Sequence, residues 1–84
     1  MLTLISLFPH QGDKMKYLIV IETTETGYSA YSPDLEGCVA TGSTRDEVEQ
    51  AMREAIELHL DGLKDEGYPI PTPHSYSTYV EVSA

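Results

Sequence analysis

Asp34 and Glu36 lie in one short turn flanked by Pro33 and Gly37, and Glu22 and Glu25 lie near another. Grouped carboxylates are what a metal-dependent nuclease uses to hold magnesium and activate water, so they are the first chemistry to weigh. The other carboxylates crowd one segment: Asp46, Glu47, Glu49, Glu54, Glu57, Asp61, Asp65 and Glu66. At those spacings on a helix they form a solvated face, not the dispersed cluster a nuclease needs. A nuclease would show magnesium-dependent RNA cleavage abolished by altering Asp34 or Glu36. The expectation is no catalytic residue, no metal ligand and no cofactor.

The remaining reactive side chains agree. His10, His59 and His74 have no Cys or His at ligand spacing, which argues against zinc. Cys38 is the single cysteine and stands beside Val39 and Ala40 in a strand pattern. An activated thiol needs a neighbouring base or a helix N-terminus, so Cys38 reads as a small apolar residue. Six tyrosines could stack on bases, but five Lys and Arg against 14 Asp and Glu leave a formal net charge of -9. That balance repels phosphate backbones. It suits a basic protein partner, because complementary fields raise association rates. The tyrosines then read as sheet packing or interface anchors.

The elements that would position these residues emerge from periodicity. Tyr17 to Thr23 is a nearly continuous apolar and β-branched run, as for a strand covered on both faces. Gly27 supplies a turn, and Tyr28 to Ser32 alternates as a second strand. Pro33-Asp34 starts a turn that Gly37 can close, and Cys38 to Gly42 reads as a third strand. Thr44-Arg45-Asp46-Glu47 fits a capping box. Val48, Ala51, Met52, Ala55, Ile56, His59, Leu60 and Leu63 keep helical spacing up to a stop at Gly67 and Pro69. Tyr68 to Pro73 is a stiff, proline-rich connector. Thr78 to Ser83 sets Val80 and Val82 against Tyr79 and Glu81, a last strand with one buried face. Three strands, a helix and a strand make a two-layer α+β domain, an antiparallel meander with one long helix on the sheet.

An 84-residue chain is one small domain, for which self-association is a natural source of added stability. A single cysteine makes a reducing cytoplasm the simpler compartment, and no stretch reaches transmembrane length. Residues 1–14 fit poorly with the strand pattern that begins at Met15. Gln11-Gly12-Asp13-Lys14 can be encoded by purine-rich codons holding a ribosome-binding sequence, so this leader reads as translated upstream sequence with the natural start at Met15. The rival reading makes Leu2–Phe8 a strand or an exchanged arm. The domain itself is then 15–84.

The pattern Gly27-Tyr28-x-Ala30-x-x-Pro33-Asp34-Leu35-x-Gly37-Cys38-x-x-x-Gly42-x-Thr44-x-x-Glu47 resembles the N-terminal domain of HicB-type antitoxins. The helix Ala51 to Leu63 and the Gly67–Pro73 connector extend the resemblance from Met15 to Val82. It implies a degenerate ribonuclease H-like βββαβ fold without catalytic acids. It also implies binding to a HicA toxin, a small basic RNA-binding ribonuclease. Full-length members often continue into a DNA-binding domain. No such pattern comes after the last strand here, so direct nucleic-acid binding is not expected.

Taken together, the expectation is a cytoplasmic antitoxin domain of a type II toxin–antitoxin system, neither an enzyme nor membrane-bound. A homodimer or higher homo-oligomer is expected from the resemblance and the small size. Its partner surface would combine Glu49, Arg53, Glu54, Glu57 and Asp61 on the helix with Asp34 and Glu36 at the turn. Pro33, Gly37, Cys38, Gly42, Thr44 and Glu47 are read as structural. The alternative is a stand-alone acidic module binding another protein or a small ligand. A neighbouring gene for a short basic protein with a histidine-containing α/β pattern would favour the antitoxin.

Overall fold

The computed structural model describes residues 14–84, so most of the leader, and any strand within it, lies outside the described residues. The order is β1 (Val20–Thr23), β2 (Tyr28–Ser32), β3 (Leu35–Gly42) and α1 (Arg45–Asp65). The strands form one antiparallel sheet in the order β1-β2-β3, with Val20 opposite Tyr31 and Tyr31 opposite Val39. This is the expected α+β meander with a helix on one face.

Period-two alternation decides which face the helix covers. Ala30 and Cys38 point inward and meet Leu35, Val48 and Met52 in the buried core. Tyr17, Ile19, Ile21, Tyr28, Ala40, Ala55, Ile56 and Leu60 pack around them. Leu35, Val48 and Met52 are at most 1% exposed; such side chains contribute about 1.5–3 kcal/mol each. Cys38 takes the apolar role expected of it, and burial raises its thiol pKa.

Gly42 sets the distance between the layers. A Cβ there would lie 2.6 Å from the Val48 backbone nitrogen, so any side chain would push the helix off β3. The cap next to it also holds: the Glu47 amide donates to Thr44 Oγ1 at 3.1 Å. The Glu47 carboxylate reaches one residue further back than a capping box, accepting from the Ser43 amide at 2.9 Å. At the other end, the Gly67 amide donates to the Lys64 carbonyl and the Tyr68 amide to the Leu63 carbonyl. These are the two bonds of a Schellman stop.

Three expectations are corrected. The third strand starts at Leu35, not Cys38, because Ser32 pairs directly with Leu35 around a tight Pro33–Asp34 turn. The surplus residues are absorbed in a register shift, where Gly37 adopts φ +80°. The first strand is shorter than Tyr17–Thr23 and has one covered face among the described residues. The last strand, expected over Thr78–Ser83, is not in the sheet: residues 68–84 form no regular element. Alternation prepares a segment for pairing, but a strand exists only where a neighbour supplies backbone partners.

Candidate functional site

Two surfaces emerge, one built around Asp34 and one along the helix. At the tight turn Asp34 is held inward, its side chain fully buried. Its Oδ2 accepts from the backbone amides of His74 at 3.0 Å and Ser75 at 2.9 Å, and its Oδ1 from the Ser75 hydroxyl at 2.6 Å. The His74 Nε2 lies 3.2 Å from Oδ1. The Ser75 hydroxyl first, then the two amides and His74, hold the carboxyl down at about 2, against the opposing effect of burial. Tyr17 closes the cluster by donating its hydroxyl to the Pro71 carbonyl. Burial and the nearby Asp34 charge raise the tyrosine pKa.

Serine, histidine and aspartate side by side invite comparison with a hydrolase triad. The order is wrong for one. A triad needs the imidazole between hydroxyl and carboxylate, so that it can take the nucleophile's proton. Here the Ser75 hydroxyl donates straight to the carboxylate, and the imidazole approaches that same oxygen instead of standing between the two. Asp34 is thus a clamp on the connector. Its acceptor sites are spent within the chain, so it is not available to an outside partner as the sequence suggested. Glu36, two residues on, is exposed at the start of β3. Among the described residues no group of three His, Cys, Asp or Glu side chains is placed to hold a metal ion.

Along α1 the expected partner residues divide. Glu49, Arg53 and Glu57 recur every fourth residue and border a groove of about 770 Å³ between the helix and the segment entering β1. Its apolar lining includes Tyr17, Ile19, Ile56, Leu60 and Ile70. Glu54 and Asp61 sit further round the helix, and Glu54 receives the Gln50 amide at 3.0 Å. With Glu57 they form an acidic stripe at i, i+3 and i+7 on the solvent side, beside Leu58, which is 75% exposed.

The comparisons decide the kinship. Residues 17–83 match the model of the HicB-like antitoxin of bacterial toxin–antitoxin systems. The chain belongs to that family. It is 31% identical over 71 residues to Antitoxin HicB 2 of Photorhabdus laumondii, covering 83% of this chain and 51% of that protein. A protein from the rep-hol intergenic region of Haemophilus phage HP1 is 32% identical over 66 residues, covering 79% of this chain and 50% of that protein. The chain thus spans about half the length of these two relatives. A chain of the HicA3 and HicB3 toxin–antitoxin complex superposes with a TM-score of 0.62 at 35% identity, covering 71% of this chain and 70% of that one.

In this HicB-like domain the signature motif is architecture. Gly37, Cys38, Gly42, Thr44 and Glu47 serve the bulge, the core, the interlayer contact and the cap, while Pro33 and Asp34 form the turn. Sequence reasoning missed two surface features. One is the row Val20, Tyr31 and Val39 across the sheet face opposite the helix, with Tyr31 42% and Val39 66% exposed. The signal for it was present: apolar side chains at the odd positions between core residues mark a strand with two apolar faces. The other is the Asp34–Ser75 clamp, which joins residues 41 apart and has no local signal.

Proposed function

We propose that this chain is the toxin-binding domain of an antitoxin, neutralising a small basic HicA-type ribonuclease by direct contact in the cytoplasm. Membership of the HicB-like family over residues 17–83 carries the reading, and the net charge of -9 supplies the complementary field. The domain acts as a binding protein and not as an enzyme, without a cofactor and without contacting nucleic acid itself. In this reading it also self-associates as a homodimer or higher homo-oligomer.

The toxin-facing surface is the acidic stripe of Glu54, Glu57 and Asp61, with Leu58 as its apolar anchor and Glu49, Arg53 and Glu36 at its margins. Carboxylates steer the encounter, and one desolvated apolar side chain fixes the register. Co-expression with the basic protein from the adjacent gene should rescue growth, and the two should co-purify. Failure of both sinks the reading. Reversing Glu54, Glu57 and Asp61 to lysine should weaken binding by at least about tenfold and flatten its salt dependence. If Tyr31→Ala weakens binding and the lysine variant does not, the toxin sits on the sheet face.

A further inference from the structure

The molecule holds a strand pattern without a sheet and a sheet edge without a strand. β1 pairs with β2 on one side only, and no described residue pairs with its other edge. Just before that edge, between the segment that enters β1 and α1, lies the groove lined by Tyr17, Ile19, Ile56 and Leu60, all half-buried. Beyond the Asp34 clamp, Tyr76 is 87%, Tyr79 100%, Val80 78% and Val82 75% exposed. Four large apolar side chains in one short segment exceed the scatter expected of a monomer surface.

From these observations we propose that Thr78–Ser83 is exchanged between two copies of this chain, each tail adding a fourth strand to the free β1 edge of the other. The proposal rests on the self-association included above and specifies how it is built. Several features choose this occupant. Val80 and Val82 fall on one side of the segment, matching a groove whose apolar wall is Ile19, Ile56 and Leu60. The groove also gathers Lys14, Lys16, Arg53 and Lys64, four of the five basic side chains of an acidic chain, against Glu49 and Glu57, so its lining is net positive. Glu81 gives the incoming strand the opposite sign. A strand added at the β3 edge would find no such gain, because Leu35 and Cys38 are already buried.

Within its own chain the tail stays off the body, as the exposure of Tyr79 and Val80 shows. Asp34 grips His74 and Ser75 at the β2–β3 turn, and Tyr17 grips Pro71. The connector is thereby fixed, and the nine residues from Tyr76 to Ala84 leave the body with a reach of about 30 Å when extended. The radius of gyration is 16.5 Å, against about 12 Å for a closed domain of this length. The three prolines of the connector stiffen the arm that carries the strand outward.

The test mixes isotope-labelled and unlabelled full-length chains and records isotope-filtered NOEs. The exchanged strand predicts intermolecular NOEs from the Val80 and Val82 methyls to Ile19, Ile56 and Leu60. The same NOEs arising only within one chain overturn the proposal, as does a dimer lacking them or a monomer at every concentration. The double variant Val80→Asp, Val82→Asp should weaken self-association by about 100-fold or more in sedimentation experiments. Its helical circular dichroism should be unchanged, since neither side chain touches the core. Unaltered association of that folded variant also overturns the exchange. A monomer that still neutralises its toxin defeats the exchange alone, whereas an exchanged dimer without toxin binding defeats the antitoxin reading alone.

Discussion

β2 and the tail segment Thr78–Ser83 are the same kind of sequence with opposite fates. Each alternates tyrosine or valine with small or polar residues. β2 lies between two strands and buries Ala30 and Ser32. The tail has no neighbour in its own chain among the described residues and exposes Tyr79 completely. The difference lies in the availability of an edge, since backbone donors and acceptors must find partners that local sequence cannot supply. Asp34 stands at the boundary: it belongs to the hairpin turn by covalent position and to the tail by hydrogen bonding. The body thus pairs its strands within one sheet, while the tail's strand pattern is unpaired among the described residues.

Substitutions can test that division, beginning in the body. Met52→Ala removes a side chain with 0% exposure and should cost about 2–5 kcal/mol in urea unfolding. Gly42→Ala places a methyl 2.6 Å from a helix backbone atom and should cost about 1–3 kcal/mol by the same measurement. Thr44→Ala removes the cap acceptor for the Glu47 amide, a loss of about 1 kcal/mol.

The Asp34 clamp should show a local effect. Asp34→Asn should speed amide exchange at His74 and Ser75 while leaving the core amides of Val48 and Met52 protected. Acid tests the same contact in the wild-type chain. The clamp lowers the carboxyl from 3.8 to about 2, so its stabilisation is complete above pH 3.8 and is lost as pH falls through about 2. NMR titration should therefore show the His74 and Ser75 amides shifting together at the acid end of that window.

The smallest effect separates body from tail most cleanly. Val80→Ser in dilute, monomeric protein should change stability by less than about 0.5 kcal/mol, because its side chain is 78% exposed. A larger loss would mean that the tail already packs within its own chain.

Much of the body was legible in the sequence because its signals are local. The Thr44 cap, the helical apolar spacing from Val48 to Leu63 and the Gly67 stop lie within a few residues of what they control. β2 has the limits its alternation predicts. Legibility failed where a residue's role depends on distant chain. Asp34 looked like a surface carboxylate because nothing near it announces the Ser75 hydroxyl. Glu49 and Glu54 looked equivalent, and only the groove beside β1 separates them.

The helix with its cap and stop, the inward face of β2, the acidic character of the helix and the family are settled by the amino-acid order alone. They arise from periodicity, capping and charge, which act over a few residues or over the whole composition. Which carboxylate is buried, which sheet face and edge stay open, and whether the last strand pattern finds a home in its own chain are matters of tertiary packing. Those outcomes depend on contacts between residues far apart in the chain, where pairing is set by which edges the packed layers leave free.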